Sequence, residues 1–251
     1  MDFSKLTDWR RGVKGEWLGN KWRPQFEPHR VRAWLRTPVV SDQFLPLDGI
    51  LLYQAHRNLE GAQIMTLPGE YVRNAVSNLP LGMVHAGRRN WYYRASWAVW
   101  GDEGEGKSNW VKRFDQQYVG MIDFGKKKGR VDVGSGHYKA YRMTVYTRPS
   151  RWVEWYVMSD YDCLVWLLST VTHLGKKASQ GWGRVSKWEI EPMEADHSIW
   201  RDGELMRGIP AEDVMEYIAD GNTPHGLQRG EYGIRPSYWK RGNQMQLVLP
   251  S

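Results

Sequence analysis

Hydrophobic and polar positions alternate with a period of two across residues 30–40. Val31, Ala33 and Leu35 fall on one side, and Arg30, Arg32, Trp34 and Arg36 on the other. This pattern predicts a half-buried strand with a basic, aromatic open face, ending near Pro38, which has no N–H for a sheet ladder. The spacing then becomes helical over residues 46–58, where Leu47, Ile50, Leu51 and Ala55 share one face. Alternation returns over 92–100, and again over Tyr141–Thr147 and 151–158, two strands predicted around the turn Arg148-Pro149-Ser150. Asp160 is placed to cap a helix with the apolar stripe Leu164, Leu167, Leu168 and Val171, which Gly175 would end as its C′ residue. A further strand follows over 185–191, and a short helix over Ala211–Ala219 in an otherwise irregular tail.

This order of strand, helix, strand, insertion, two strands, helix, glycine loop and strand predicts an α+β domain. Its type is ferredoxin-like (RRM-like), with helices on one sheet face and the other face, which carries Arg30, Arg32, Trp34 and Arg36, expected to bind RNA by aromatic stacking and charge. Residues 1–28, rich in Trp and Arg, form an N-terminal extension expected to order on a partner. Residues 29–195 form the domain, and 196–251 an irregular segment packed on it. Residues 101–139 lack a core pattern and carry Lys126, Lys127, Lys128 and Arg130, so they are expected to form an inserted arm with a basic tip.

Charge and aromatic content sharpen this picture. Across 251 residues, 35 Lys and Arg stand against 28 Asp and Glu, a balance of +7 that favours a polyanionic partner. Tryptophan and tyrosine number 15 and 13 against five phenylalanines, a bias toward aromatics that serve wet surfaces and base stacking. A single cysteine, Cys163, forbids an internal disulfide and a Cys-based zinc site. With no secretory pattern at the start and no apolar run near 18 residues, the expected location is the cytoplasm, away from membranes.

The chemistry concentrates in residues 174–185. Gly175, Gly181 and Gly183 permit turns and close backbone approach, Lys176, Lys177 and Arg184 supply charge, Ser179 a hydroxyl and Trp182 a flat ring. Such a loop suits a phosphodiester backbone, with cations for phosphates and a ring for a base. The segment Gly101 to Ser108 also matches G-x-x-x-x-G-K-[ST]. However, Asp102, Glu103 and Glu105 oppose a phosphate there, and the repeating strand–helix order of a nucleotide-binding sheet is absent downstream. His29 and His137 are the histidines best placed for general acid–base work in RNA cleavage. Asp196, Asp202 and Glu204 lie in a turn-rich stretch where acidic residues serve turns. No cofactor or metal is expected.

The glycine loop and the helix before it resemble those of the RAMP superfamily of CRISPR RNA-binding proteins. Four further segments are similar to the Cas five-type subunit of type IV CRISPR effector complexes. They are Leu45-Pro46-Leu47-Asp48-Gly49-Ile50-Leu51, Leu79-Pro80-Leu81 with Trp91-Tyr92-Tyr93-Arg94-Ala95-Ser96, Ser198 through Pro210, and Ile234-Arg235-Pro236-Ser237-Tyr238-Trp239. The resemblance implies a non-catalytic subunit that caps the 5′ handle of crRNA, contacts the large and backbone subunits, and helps read the motif flanking the target DNA. Gly175, Lys176, Lys177, Gly181, Gly183 and Arg184 would line the RNA path, and the arm would stand where the family carries its thumb hairpin, with Lys126, Lys127, Lys128 and Arg130 as its phosphate contacts. A guide-processing endonuclease of the same superfamily and a general basic RNA-binding module are the alternatives.

Overall fold

The alternation around Val31 and Ala33 builds the centre of a four-stranded antiparallel sheet. The computed structural model describes residues 15–18, 21–24, 26–41, 44–60, 79–86, 90–102, 104–123 and 131–251. A hairpin of β1 (Gly15–Leu18) and β2 (Lys21–Pro24) lies within the expected extension, ahead of β3 (Glu27–Leu35). Then come α1 (Leu47–Glu60), a hairpin of β4 (Met83–Ala86) and β5 (Asn90–Tyr93), and the two-residue β6 (Val99–Trp100). A long ribbon of β7 (Gly106–Lys112) and β8 (Tyr141–Thr147) leads into β9 (Trp152–Ser159), α2 (Tyr161–Ser169) and β10 (Val185–Pro192). The sheet runs β10–β3–β9–β6, with every neighbouring pair antiparallel. Counted along the chain, its strands lie in the order fourth, first, third, second. The architecture is α+β.

Register explains which side is buried. Val31 faces Trp155 and Ala33 faces Val153, so these residues and Val157 share one sheet face. Leu47 and Leu51 of α1 and Leu164, Leu167 and Leu168 of α2 complete a single apolar cluster with them. Burying these side chains supplies the main drive for folding. Trp155 is fully buried, and its indole N–H donates to the Leu45 carbonyl at 2.8 Å. Asp160 caps α2 by accepting from the Cys163 amide at 3.2 Å.

Several sequence expectations change here. Helix α2 ends at Ser169 with Thr170 as its C-cap, so Gly175 lies beyond it and is not its C′ residue. The predicted strand over 92–100 divides into β5 and β6. Strand β5 pairs with β4, whereas Ala95 bridges Val157 and β6 pairs with β9; the Tyr93 and Ala95 carbonyls also accept from the fully buried guanidinium of Arg207. Strand β8 pairs with β7 and not with the sheet, so the arm extends to Thr147 and the sheet keeps four strands.

The C-terminal segment is not irregular. It contains β11 (Trp200–Arg201), β12 (Glu204–Leu205), α3 (Ala211–Ala219), and a hairpin of β13 (Gln228–Gly233) and β14 (Gln244–Leu249). Leu205, Ile209, Val214, Ile234, Leu247 and Val248 pack with Ala86 and Tyr92 into a second core. Arg207 joins the two cores, donating to the Ile234 carbonyl at 3.0 Å and lying 3.6 Å from the buried Asp48 at the start of α1. Among the described residues, no helix is long and apolar enough to cross a membrane.

Candidate nucleic-acid interface

The glycine loop is fastened to the chain that leaves β3. The Lys176 amide donates to the Val40 carbonyl at 2.6 Å and the Gly183 amide to the Pro38 carbonyl at 2.8 Å. Thr37 Oγ1 donates to the Gly181 carbonyl at 2.8 Å and accepts from the Arg184 amide at 2.9 Å. Two of the three glycines serve this clamp. A Cβ on Gly175 would lie 2.3 Å from the Val40 oxygen, and one on Gly183 2.0 Å from the Leu174 oxygen, both at positive φ. Gly181, at φ +84°, faces open space. Lys177 also adopts the left-handed region, at φ +65°, where a side chain carries strain. The clamp leaves Lys176, Ser179, Gly181 and Arg184 exposed, with Lys177 and Trp182 half-buried.

The arm meets this loop through its aromatic face. Trp110 and Lys112 on β7 share a ribbon face with Tyr141 and Met143 on β8, as the register and the two-residue period require. Lys177 Nζ sits 5.1 Å from the Trp110 ring centroid, Lys112 Nζ 5.7 Å from that of Tyr141, and the two rings meet edge to face at 5.3 Å. Lys107 lies over Tyr146 on the opposite ribbon face. Sequence reading missed Trp110, Lys112 and Tyr141. Their signal was the interleaving of cations and aromatics at two-residue spacing. Lys126, Lys127, Lys128 and Arg130 lie outside the described residues.

The open sheet face is built differently. Arg30 pairs with Glu191 at 2.6 Å, while Arg32 donates twice to one oxygen of Glu154, at 2.9 and 2.7 Å. The other oxygen of Glu154 accepts from Tyr156 at 2.8 Å, and Arg32 lies over the rings of Trp152 and Trp34 at 4.3 and 5.7 Å. Arg201 from the C-terminal segment covers Tyr156 at 4.8 Å and donates to its hydroxyl. Burial, with the Glu154 carboxylate adding to it, pushes the Tyr156 phenol up to about 12. Arg30, Arg32 and Trp34 thus stay together on the sheet. Arg36 lies at the loop end, its amide donating to the Arg184 carbonyl at 2.8 Å.

Other sequence candidates are separated from the loop chemistry. In the segment matching a P-loop, Lys107 and Ser108 lie in strand β7, with no helix opening behind them to hold phosphates. That segment also borders a cleft of about 740 Å³ lined by Asp102, Glu105, Asp202 and Glu204 as well as Arg148 and Arg201, a poor seat for a polyanion. His29 is 3% exposed with Nδ1 3.0 Å from Ser159 Oγ, and burial lowers its pKa. His137 stands in the arm against Tyr138. Asp196 accepts from the Ser198 amide and pairs with Arg94, and Asp202 occupies the turn joining β11 and β12 at φ +51°.

A family model described as CRISPR type IV associated protein Csf3 matches residues 27–250. No curated protein matches the chain.

Proposed function

The chain belongs to the Csf3 family of type IV CRISPR-associated proteins, and from that premise we propose that it is a non-catalytic subunit holding the 5′ handle of crRNA. In this reading the glycine loop grips the phosphate backbone and the β7–β8 arm acts as the thumb. The rest of the surface meets the backbone and large subunits, close to target DNA beside its flanking motif. The observation that carries it is the junction of loop and arm. A backbone clamp onto residues 37–40 holds Lys176, Lys177 and Arg184 in place, and Lys177 rests on Trp110 of the arm. A loop cation held against an arm tryptophan, beside further basic side chains, suits an ordered single strand of RNA. The strand order of the sheet, with both helices on one face, supports a ferredoxin-like domain of RAMP type.

The test is a salt titration of purified protein against a repeat-derived guide RNA. Replacing Lys176 and Lys177 together by alanine should weaken binding and lower the slope of log affinity against log salt by about 0.7 per lost phosphate contact. An unchanged slope would remove the loop from the RNA path. The same RNA, end-labelled, should stay intact. Site-specific cleavage abolished by His29→Ala or His137→Ala would replace the non-catalytic reading with that of a processing nuclease.

A further inference from the structure

The most exposed aromatic side chain among the described residues is Trp239, at 75%. Its loop is held firmly. The Ile234 amide donates to Asn243 at 2.9 Å, the Asn243 amide to Lys240 at 2.8 Å, and the Lys240 amide to Ser237 at 3.1 Å. Asn243 Nδ2 reaches the Pro236 and Ser237 carbonyls, both at 3.2 Å. Next to Trp239, the Tyr238 hydroxyl donates to buried Asp48 at 2.5 Å. A Cβ on Gly233 would lie 2.4 Å from the Tyr238 carbonyl oxygen, so the turn is closed against its own strand. A large ring projected into water from a clamped loop loses little conformational freedom on binding.

Charge indicates what the ring meets. Residues 234–243 contain Arg235, Lys240 and Arg241 and no Asp or Glu. Arg235 is committed to Trp91, its guanidinium 5.0 Å from that ring centroid, which leaves Lys240 and Arg241 beside Trp239. The glycine loop holds the connection after β3 at Val40, and the Trp239 loop holds the start of α1, which that connection enters, at Asp48. We propose that Trp239, with Lys240 and Arg241, is a second nucleic-acid contact, a preorganised platform on which one unpaired base stacks while the two cations take the adjoining phosphates. This rests on the RNA reading above but involves residues independent of the glycine loop.

Anisotropy titrations of the full chain against the repeat-derived guide RNA and against an oligouridine test it. Trp239→Ala should weaken binding by roughly 5- to 100-fold with an unaltered salt slope, because a stacked ring releases no counterions. Trp239→Phe should restore most of the affinity, and Lys240→Ala with Arg241→Ala should lower the slope. Since the ring is exposed, thermal melting should be unchanged in each variant. Unchanged affinity in Trp239→Ala would overturn the platform. So would intact RNA binding combined with loss of a copurifying protein subunit, which would make Trp239 a protein anchor. Weakening by the Lys176 and Lys177 double substitution but not by Trp239→Ala sinks the platform alone. The reverse pattern sinks the glycine-loop reading alone. A wild-type chain that binds neither RNA sinks both.

Discussion

Two regions of the molecule use the same residue types to different ends. On the open sheet face, Arg30 and Arg32 meet carboxylates one strand away, Glu191 and Glu154, so their charge is cancelled within the fold. Where the loop meets the arm, Lys177 and Lys112 lie on Trp110 and Tyr141, which hold a cation in place without neutralising it. An arginine beside a tryptophan in sequence therefore says little about a polyanion until the strand across from it is known. The sheet pairs its charge with carboxylates, whereas at the junction Lys177 and Lys112 are held against rings.

The sharpest way to break this contrast is through the loop's backbone. Gly183→Ala places a Cβ against the Leu174 carbonyl at positive φ, and should cost about 3 kcal/mol or more locally while abolishing tight guide-RNA binding. Gly181→Ala, with open space around it, should cost only about 1 kcal/mol from its left-handed backbone. Paired melting and RNA titrations check both. Equal effects at the two positions would mean that the clamp onto residues 37–40 does not shape the loop.

A second, smaller test addresses the sheet. Glu154→Ala leaves Arg32, with 19% of its side chain exposed, without its carboxylate, and should cost about 2–3 kcal/mol, or about 5–10 °C in melting temperature. Arg30→Ala, from a pair exposed by 26% and 52%, should cost less than about 1 kcal/mol. Neither should change RNA affinity. Tighter RNA binding by Glu154→Ala would place the sheet face in the RNA path and erase the distinction.

Much of the fold was legible because local signals agreed with it. The alternation at Val31, Ala33 and Arg32 reports the two sheet faces correctly, Asp160 caps α2, and α3 spans Ala211–Ala219 as the pattern requires. Alternation could not say which partner a strand takes. Tyr141–Thr147 alternates like a sheet strand, yet Tyr141 to Thr144 are exposed and the ladder is with β7. The hairpin of β13 and β14 was hidden because Gln228, Arg229, Glu231, Gln244 and Gln246 fill these short strands and the buried Leu247 and Val248 are consecutive, so no period of two shows. In the candidate interface, the glycines and lysines of the loop were visible in sequence. Trp110 was not, because it meets Lys177 through a contact that only the folded arm creates.

The smallest expected effect comes from a third environment on the same strand. His29 is the neighbour of Arg30 on β3 but points to the buried side, where Ser159 hydrogen-bonds Nδ1 and Glu27, Asp160, Tyr161 and Asp162 line the cleft beside it. Desolvation depresses its pKa below 6.5, outweighing the opposing pull of the Glu27 and Asp160 carboxylates. The folded protein therefore keeps this imidazole neutral at a pH where the unfolded chain binds a proton. Stability from this source is complete above about pH 6.5, falls as the pH drops through that value, and levels off below the folded-state pKa. His29→Gln removes the titration while retaining a hydrogen-bonding side chain, so melting temperature should depend less on pH between about 6.5 and 5 than in the parent. Parallel slopes in the two proteins would mean that β3 tolerates a charge on its helix face as well as on its open one, and the division between compensated and excluded charge would fail at its own central strand.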